Sequence, residues 1–145
     1  MGTAARILLV EDFQPYRSFI ASLLSKNADL DVVGEVGDGL EAVARAEELK
    51  PDLILIDISL PKLNGLDAAR RIRELVPSSK IIFLTQETQV EIVKEALNLG
   101  AWGYISKGRG KADLLAGLAA VLQGKRFVSN GLPGDGLSST KPPER

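Results

Sequence analysis

Five polar residues that could do chemistry follow four short apolar runs of the sequence. They are an acidic pair, a third acid, a hydroxyl and an amine: Glu11 and Asp12, Asp57, Thr85, and Lys107. Open parallel sheets bind ligands beyond the carboxyl ends of their strands, so residues that directly follow apolar strands are the first candidates for a site. The sequence therefore predicts that these side chains converge on one edge of a sheet.

The chemistry open to such a group is narrow. Three carboxylates within a few ångströms of one another repel strongly unless a cation compensates them. Donor sets made only of oxygen, with room for water, favour Mg²⁺ over zinc or copper. Asp57 is then the natural nucleophile, because carboxylates form aspartyl-phosphate intermediates. Lys107 would offer a positive charge, and Thr85 a neutral donor, to phosphoryl oxygens.

Composition excludes several other kinds of chemistry. The 145 residues include no cysteine and no histidine, which excludes disulfides, thiolate catalysis, zinc sites built on Cys or His, and a histidine general base. The formal net charge of −1 provides no overall basic surface for nucleic acid. No apolar run reaches the roughly 20 residues of a membrane helix, and the first predicted strand begins too close to Met1 for a signal peptide. We therefore expect a cytoplasmic protein.

Strand and helix patterns alternate five times along the chain. One segment, 52–57, is apolar at consecutive rather than alternate positions, which is typical of a central parallel strand covered on both faces. The alternation predicts a doubly wound α/β domain with helices on both faces of a parallel sheet. Predicted strands cover residues 6–10, 31–36, 52–57, 80–85 and 103–106, and predicted helices cover 15–24, 40–49, 66–76, 90–99 and 111–123.

The character of the sequence changes at Asn130. Residues 130–145 are rich in Gly, Pro and Ser and show no periodicity, which is typical of flexible segments. We expect one domain over residues 1–129 and a flexible tail or truncated linker over residues 130–145.

Five stretches of the sequence together resemble the response regulator receiver family. The resemblance covers roughly residues 5–128 and depends on the set rather than on any one motif. It implies a flavodoxin-like fold whose five-stranded parallel sheet has the strand order 2-1-3-4-5. The stretches are Ile7-Leu-Leu-Val-Glu-Asp12, Pro51-Asp-Leu-Ile-Leu-Ile-Asp57, Leu60-Pro61 with Asn64-Gly65, Ile82-Phe-Leu-Thr85, and Gly100-Ala-Trp-Gly-Tyr-Ile-Ser-Lys107.

The resemblance implies roles at the acidic end of the site. Asp57 matches the phosphoacceptor, and Asp12 matches the direct ligand of Mg²⁺. Glu11 matches an acid that acts through a metal-coordinated water. Ser59 matches the residue whose backbone carbonyl completes the protein ligands of the metal.

It also implies how the signal is passed on. Thr85 and Lys107 match the pair that holds the phosphoryl group, and Tyr104 matches the switch aromatic that turns inward when Thr85 moves. The implied protein is no turnover enzyme but a phosphoacceptor that assists its own phosphorylation and dephosphorylation. Its implied partners are a histidine kinase and a second copy, bound through the face of the fourth helix, fifth strand and fifth helix, or through the first and fifth helices.

The C-terminal part of the sequence, from Gly103 to Ser129, resembles one subfamily of receivers more specifically. Gly103-Tyr-Ile-Ser-Lys107, a helix of Ala and Leu, and Gly124-Lys-Arg-Phe-Val-Ser129 are typical of receivers that precede a LuxR-type helix-turn-helix. We therefore expect control of a DNA-binding output domain that lies outside this sequence, which would then be cut in the linker. The alternative is a stand-alone receiver.

Two groups of residues depart from simple expectations. Gln86 stands where the family has a small residue, and with Glu87 it is expected to modulate access to the phosphoryl group and its lifetime. Gly34, Gly37 and Gly39 are spaced in the reverse of a phosphate-binding loop, and we expect them to serve turns with positive φ.

Three alternative functions share parts of this pattern. A Mg²⁺-dependent phosphatase would use an aspartyl-phosphate, but it needs a second acid where Ser59 stands. A pseudo-receiver would use the same fold as a binding module without phosphorylation. A flavin-binding domain of similar topology would need a loop rich in Ser, Thr and Gly after the first strand, where Glu11 and Asp12 lie.

Overall fold

The computed structural model describes residues 3–87 and 89–129. Two compact units make up this part of the chain; the first ends at Lys80 and the second begins at Ile81. The predicted tail, residues 130–145, lies outside the described residues. The strands are β1 (Ala5–Val10), β2 (Leu30–Val36), β3 (Leu53–Ile56), β4 (Lys80–Thr85), β5 (Gly103–Ser106) and β6 (Phe127–Val128), and the helices are α1 (Gln14–Ser25), α2 (Gly39–Leu49), α3 (Gly65–Leu75), α4 (Val90–Asn98) and α5 (Gly110–Leu122).

The first unit is built on three parallel strands. Strand β1 pairs with β2 on one side and with β3 on the other. The last residue of β1, Val10, lies opposite Val36 of β2 and Ile56 of β3. Because the three strands run parallel and end level, the residues that follow them emerge at one edge of the sheet.

Continuous apolar sequence is what allows β1 and β3 to be covered on both faces. The segments Ile7–Val10 and Leu53–Ile56 are buried at every position, so both faces of each strand are covered, as parallel sheets require. Strand β2 differs because its buried and partly exposed positions are mixed.

The helices of the first unit begin at residues suited to that position. Asp38 accepts a hydrogen bond of 2.7 Å from the amide of Glu41 at the start of α2, and Asn64 accepts one of 3.0 Å from Asp67 at the start of α3. Such caps satisfy amides that have no partner within the helix. Helix α1 contacts β1 and β2, while α2 packs against α3.

The second unit contains β4, β5 and β6, which are also parallel. Helix α5 packs on β5 and β6, and α4 packs on β5. Gly100 and Gly124 follow α4 and α5 with φ of 100° and 84°, the left-handed conformation that ends many helices. Each glycine directly follows the last residue of a predicted helix, 90–99 or 111–123.

The strand orders β2-β1-β3 and β4-β5-β6 agree with the corresponding parts of the predicted order 2-1-3-4-5. The sequence did not predict β6, because a strand of two residues is too short to show a period. None of the helices in the described part of the chain combines the length and apolar character that crossing a bilayer requires.

Candidate functional site

Three carboxylates meet at the edge where β1 and β3 end. Glu11 and Asp57 follow the paired residues Val10 and Ile56, and the amide of Asp57 donates to the Val10 carbonyl at 3.1 Å. Oxygen atoms of Glu11, Asp12 and Asp57 all lie within 4.8 Å of one another. We call these three residues the acidic cluster; the predicted convergence of the three acids is confirmed.

Burial divides the acidic cluster into two inner acids and one outer acid. Glu11 and Asp57 are 3% and 5% exposed, whereas Asp12 is exposed. Water screens the inner pair poorly, so their negative charges interact strongly with each other and with any nearby cation. A set of oxygen donors at these separations fits a small hard cation such as Mg²⁺.

Backbone amides orient the two inner acids. One carboxylate oxygen of Glu11 (Oε2) accepts a hydrogen bond of 3.0 Å from the amide of Phe13, the residue before α1. The Oδ1 atom of Asp57 accepts a longer bond of 3.3 Å from the amide of Ser59. Both carboxylates are thus held by the turn that directly follows their own strand.

The loop after Asp57 packs tightly against its backbone. The amide of Gly65, at the start of α3, donates to the Ile58 carbonyl at 2.7 Å. A Cβ atom at Gly65 would lie 2.0 Å from the Asp57 carbonyl oxygen, closer than any side chain permits. Gly65 is therefore required for the approach of α3 to the end of β3.

The expectation that Gly34, Gly37 and Gly39 serve turns with positive φ is wrong. None of the three is among the residues with positive φ in the described chain. Gly39 is needed for space instead, because a Cβ there would lie 1.8 Å from the Leu63 carbonyl oxygen. Glycine permits both unusual φ and close backbone approach, and the sequence alone did not separate the two uses.

Sequence reasoning also missed Arg17, which lies on the first turn of α1. Its Nη1 donates a hydrogen bond of 2.6 Å to the carbonyl oxygen of Glu11, and its Nε lies 3.6 Å from Oε1 of Glu35. An arginine five residues after an acidic pair is a signal that could have pointed to it. Arginine is common on helices, however, and the bond is made to a backbone carbonyl, which leaves no trace in the sequence.

In the second unit, Thr85 and Tyr104 are connected through one residue. The Thr85 hydroxyl oxygen accepts from the amide of Glu87 at 3.3 Å, and the Tyr104 hydroxyl donates to the Glu87 carbonyl at 2.6 Å. Thr85 and Tyr104 are both fully buried. We call Thr85, Glu87 and Tyr104 the hydroxyl cluster.

Thr85 and Lys107 lie at the same edge of the second unit, where β4 and β5 end. Thr85 ends β4 opposite Ser106, the last residue of β5, and Lys107 comes next in a 3₁₀ turn over Lys107–Arg109. Ser129, which the sequence did not single out, is fully buried and accepts a bond of 3.0 Å from the Ser106 amide. The segment after β6 is therefore bonded to the backbone directly before Lys107.

Solved structures of similar fold cover nearly the whole chain. A LuxR-family two-component response regulator from Aurantimonas sp. SI85-9A1 is 30% identical, with a TM-score of 0.86 over 91% of this chain and 94% of that one. The isolated REC domain of RcsB from Salmonella enterica serovar Typhimurium, solved with the phosphomimetic BeF₃⁻, is 26% identical, with a TM-score of 0.81 over 88% and 94% of the two chains. These structures confirm the flavodoxin-like α/β fold.

Curated relatives are longer than this chain. Response regulator GacA of Pseudomonas viridiflava is 34% identical over 86% of this chain and 58% of its own length. The nitrate/nitrite response regulator protein NarL of Escherichia coli K12 is 37% identical over 88% of this chain and 59% of its own. The chain thus spans a little under three fifths of the length of these relatives.

The family model for the response regulator receiver domain matches residues 7–119. That range contains the acidic cluster, the hydroxyl cluster and Lys107. The predicted similarity to receivers of LuxR-type regulators agrees with the relatives and with the Aurantimonas structure. The chain belongs to the response regulator receiver domain family.

Proposed function

We propose that this chain is a phosphorylation-dependent signalling switch in which Asp57 accepts a phosphoryl group from a histidine kinase. The observation that carries the proposal is the acidic cluster, in which the buried Asp57 carboxylate lies within 4.8 Å of carboxylate oxygens of Glu11 and Asp12. Carboxylate nucleophiles that form acyl phosphates are established in enzymes. Membership of the receiver family supports signalling rather than turnover as the role of this cluster.

The acidic cluster fits the metal that the family implies. Glu11, Asp12 and Asp57 would hold Mg²⁺, and Ser59 would add its backbone carbonyl. These donors are all oxygen, which Mg²⁺ prefers, and Mg²⁺ commonly binds one or two carboxylates together with phosphate oxygens. When bound, the ion would reduce the repulsion between the carboxylates and the incoming phosphoryl oxygens.

The reaction is a transfer between two nucleophiles. A carboxylate oxygen of Asp57 forms a bond to phosphorus while the bond from phosphorus to the kinase histidine nitrogen breaks, and the imidazole leaves. We assign Lys107 and Thr85 to the oxygens of the transferred group, one as a charged and one as a neutral donor. The chain assists its own phosphorylation by orienting Asp57, here with the amide of Ser59.

The hydroxyl cluster is proposed to report the phosphate. Movement of the Thr85 hydroxyl toward the phosphoryl group would break its bond from the Glu87 amide, and Glu87 also bonds Tyr104. A change in the position of Thr85 would thereby alter the face formed by α4, β5 and α5, as a shift between two conformations. Gln86 and Glu87 would modulate the lifetime of the phosphate.

Helix α5 supports a second copy as one partner at that face. Leu115 and Leu122 are 37% and 41% exposed on α5, and between them Ala116 and Ala119 are exposed as well. A helix that is apolar all round normally has both sides covered. We propose a homodimer that covers this side of α5, and control of DNA through a C-terminal domain of the kind carried by LuxR-type regulators.

The assignment of Asp57 is tested by phosphorylation with a small phosphodonor such as acetyl phosphate. Wild-type protein with Mg²⁺ should gain the mass of one phosphoryl group, whereas Asp57→Asn should gain none and chelation of Mg²⁺ should abolish the wild-type signal. Asp31→Asn, which removes an exposed acid from β2, is the matched control and should be labelled normally. Full labelling of Asp57→Asn would disprove the assignment, and no labelling of wild type would favour a pseudo-receiver.

A further inference from the structure

Arg17 touches the acidic cluster but has no part in the chemistry described above. Its side chain is 21% exposed, and its guanidinium bonds the Glu11 carbonyl and lies beside Glu35. A positive charge near the N-terminal end of a helix is disfavoured by the helix dipole, and the first turn of α1 has no acid to offset it. Contacts outside the helix therefore hold Arg17 in place.

The Glu11 carbonyl is the point through which Arg17 could act on the site. This carbonyl belongs to the peptide that joins Glu11 to Asp12, so fixing its oxygen fixes the plane from which the Asp12 side chain departs. Glu11 is otherwise held by burial, by the hydrogen bond of 3.0 Å from its amide to the Val36 carbonyl, and by the hydrogen bond from the Phe13 amide to its carboxylate. Asp12 is exposed, so packing positions it far less than its two neighbours in the cluster.

Gly37 provides the space for this contact. A Cβ atom at residue 37 would lie 3.3 Å from Nη1 of Arg17 and 3.9 Å from both the Glu11 carbonyl oxygen and the Asp12 Cα. The φ of Gly37 is not positive, so the turn itself does not require glycine. A side chain at residue 37 would instead require the guanidinium to shift by a few tenths of an ångström from its place beside the Glu11–Asp12 peptide.

We propose that Arg17 is a positioning residue for the cation site, which fixes the Glu11–Asp12 peptide so that the Asp12 carboxylate is set toward Asp57 before Mg²⁺ binds. The inference rests on the proposed function, because it concerns the same site. The bond to the carbonyl carries the effect. The pair with Glu35 is weaker, since Glu35 is 42% exposed and water screens it.

Calorimetric titration of the full chain with Mg²⁺, in the absence of any phosphodonor, tests this role directly. Arg17→Met keeps an unbranched apolar side chain but removes every donor, and it should raise the Kd for Mg²⁺ about tenfold, as loss of a group that orients metal ligands typically does. Arg17→Lys keeps one compact donor group, so its Kd for Mg²⁺ should lie between those of the wild type and Arg17→Met. Glu35→Gln should change the Kd less than about fivefold.

Arg73→Met is the matched control, since Arg73 is an exposed arginine on α3 and its loss should leave the Kd for Mg²⁺ unchanged. Urea unfolding without Mg²⁺ measures stability separately, and a positioning role requires the loss of Mg²⁺ binding to exceed what partial unfolding explains. Gly37→Ala is a second test of the positioning role, because the added methyl crowds the guanidinium of Arg17 and should also raise the Kd for Mg²⁺.

An unchanged Kd in both Arg17→Met and Gly37→Ala would overturn the positioning role while leaving the proposed function intact. If Arg17→Met does not fold, an unchanged Kd in Gly37→Ala and Arg17→Lys would overturn it equally. Wild-type protein that binds no Mg²⁺ would overturn the proposed function, and this inference with it.

Discussion

The acidic cluster and the hydroxyl cluster are held together by different interactions. Carboxylate oxygens of Glu11, Asp12 and Asp57 lie within 4.8 Å of one another, so that like charges repel across the cluster and the donor set fits a cation. The hydroxyl cluster has no such repulsion, because Thr85 and Tyr104 are neutral, fully buried and bonded to one backbone segment at Glu87.

This difference indicates how the two clusters respond to change. The geometry of the acidic cluster depends on backbone that holds charges close together, so steric changes to that backbone should be costly. The hydroxyl cluster depends on single neutral hydrogen bonds, each of which contributes about 1 kcal/mol. A conformational switch benefits from the second kind of construction, because its two states must differ little in free energy.

Gly65→Ala is expected to have the largest effect, because it breaks the backbone support of the acidic cluster. The new Cβ would meet the Asp57 carbonyl oxygen at 2.0 Å, so α3 or the end of β3 must move. We expect a loss of about 3 kcal/mol in the free energy of unfolding, measured in urea, and weaker Mg²⁺ binding by calorimetry.

Gly108→Ala is the control for that substitution. A Cβ at Gly108 would lie 3.7 Å from the Ser106 hydroxyl oxygen, an ordinary contact, and φ there is not positive. Its unfolding free energy should therefore change by no more than about 0.5 kcal/mol. Equal stability of the two variants would show that the approach of α3 to Asp57 is not as tight as described.

Much of the fold and the acidic cluster could be predicted because both depend on simple rules. Consecutive apolar residues in β1 and β3 indicate buried parallel strands, and residues after such strands meet at one edge. Glu11, Asp12 and Asp57 follow from that rule alone. Their side-chain types also limit the chemistry, since no histidine or cysteine competes with them.

The contacts that support the clusters could not be predicted in the same way. Arg17 and Ser129 act on a backbone carbonyl and a backbone amide, which every residue possesses and no pattern marks. Tyr104 was assigned through resemblance, but its bond to the Glu87 carbonyl depends on how the loop after β4 is folded. Gly37 and Gly39 were misjudged because close approach, unlike φ, depends on distant parts of the chain.

Tyr104→Phe should have an intermediate effect that is confined to the hydroxyl cluster. It removes the bond of 2.6 Å to the Glu87 carbonyl but keeps the ring, whose centroid lies 6.1 Å from that of Phe83. We expect a loss of about 1 kcal/mol in unfolding free energy and an unchanged Kd for Mg²⁺. Tyr104→Leu, which also removes the ring, should be less stable than Tyr104→Phe. A changed Kd for Mg²⁺ in Tyr104→Phe would show that the effect of this substitution is not confined to the hydroxyl cluster.

Glu87→Gln should have the smallest effect, and it distinguishes the backbone of Glu87 from its carboxylate. The backbone bonds to Thr85 and Tyr104 do not involve the side chain, and the Oε1 atom accepts a long bond of 3.3 Å from the Gln89 amide, which glutamine can also accept. Stability should therefore change by no more than about 0.5 kcal/mol. The half-life of phosphorylated Asp57, followed after removal of the phosphodonor, should change only modestly, by about threefold, because the carboxylate is held toward the start of α4 and modulates the lifetime without taking part in the reaction. Glu87→Ala, which removes the acceptor, controls for that bond. A tenfold change in half-life in Glu87→Gln alone would instead show that the charge of Glu87 acts directly on the phosphoryl group.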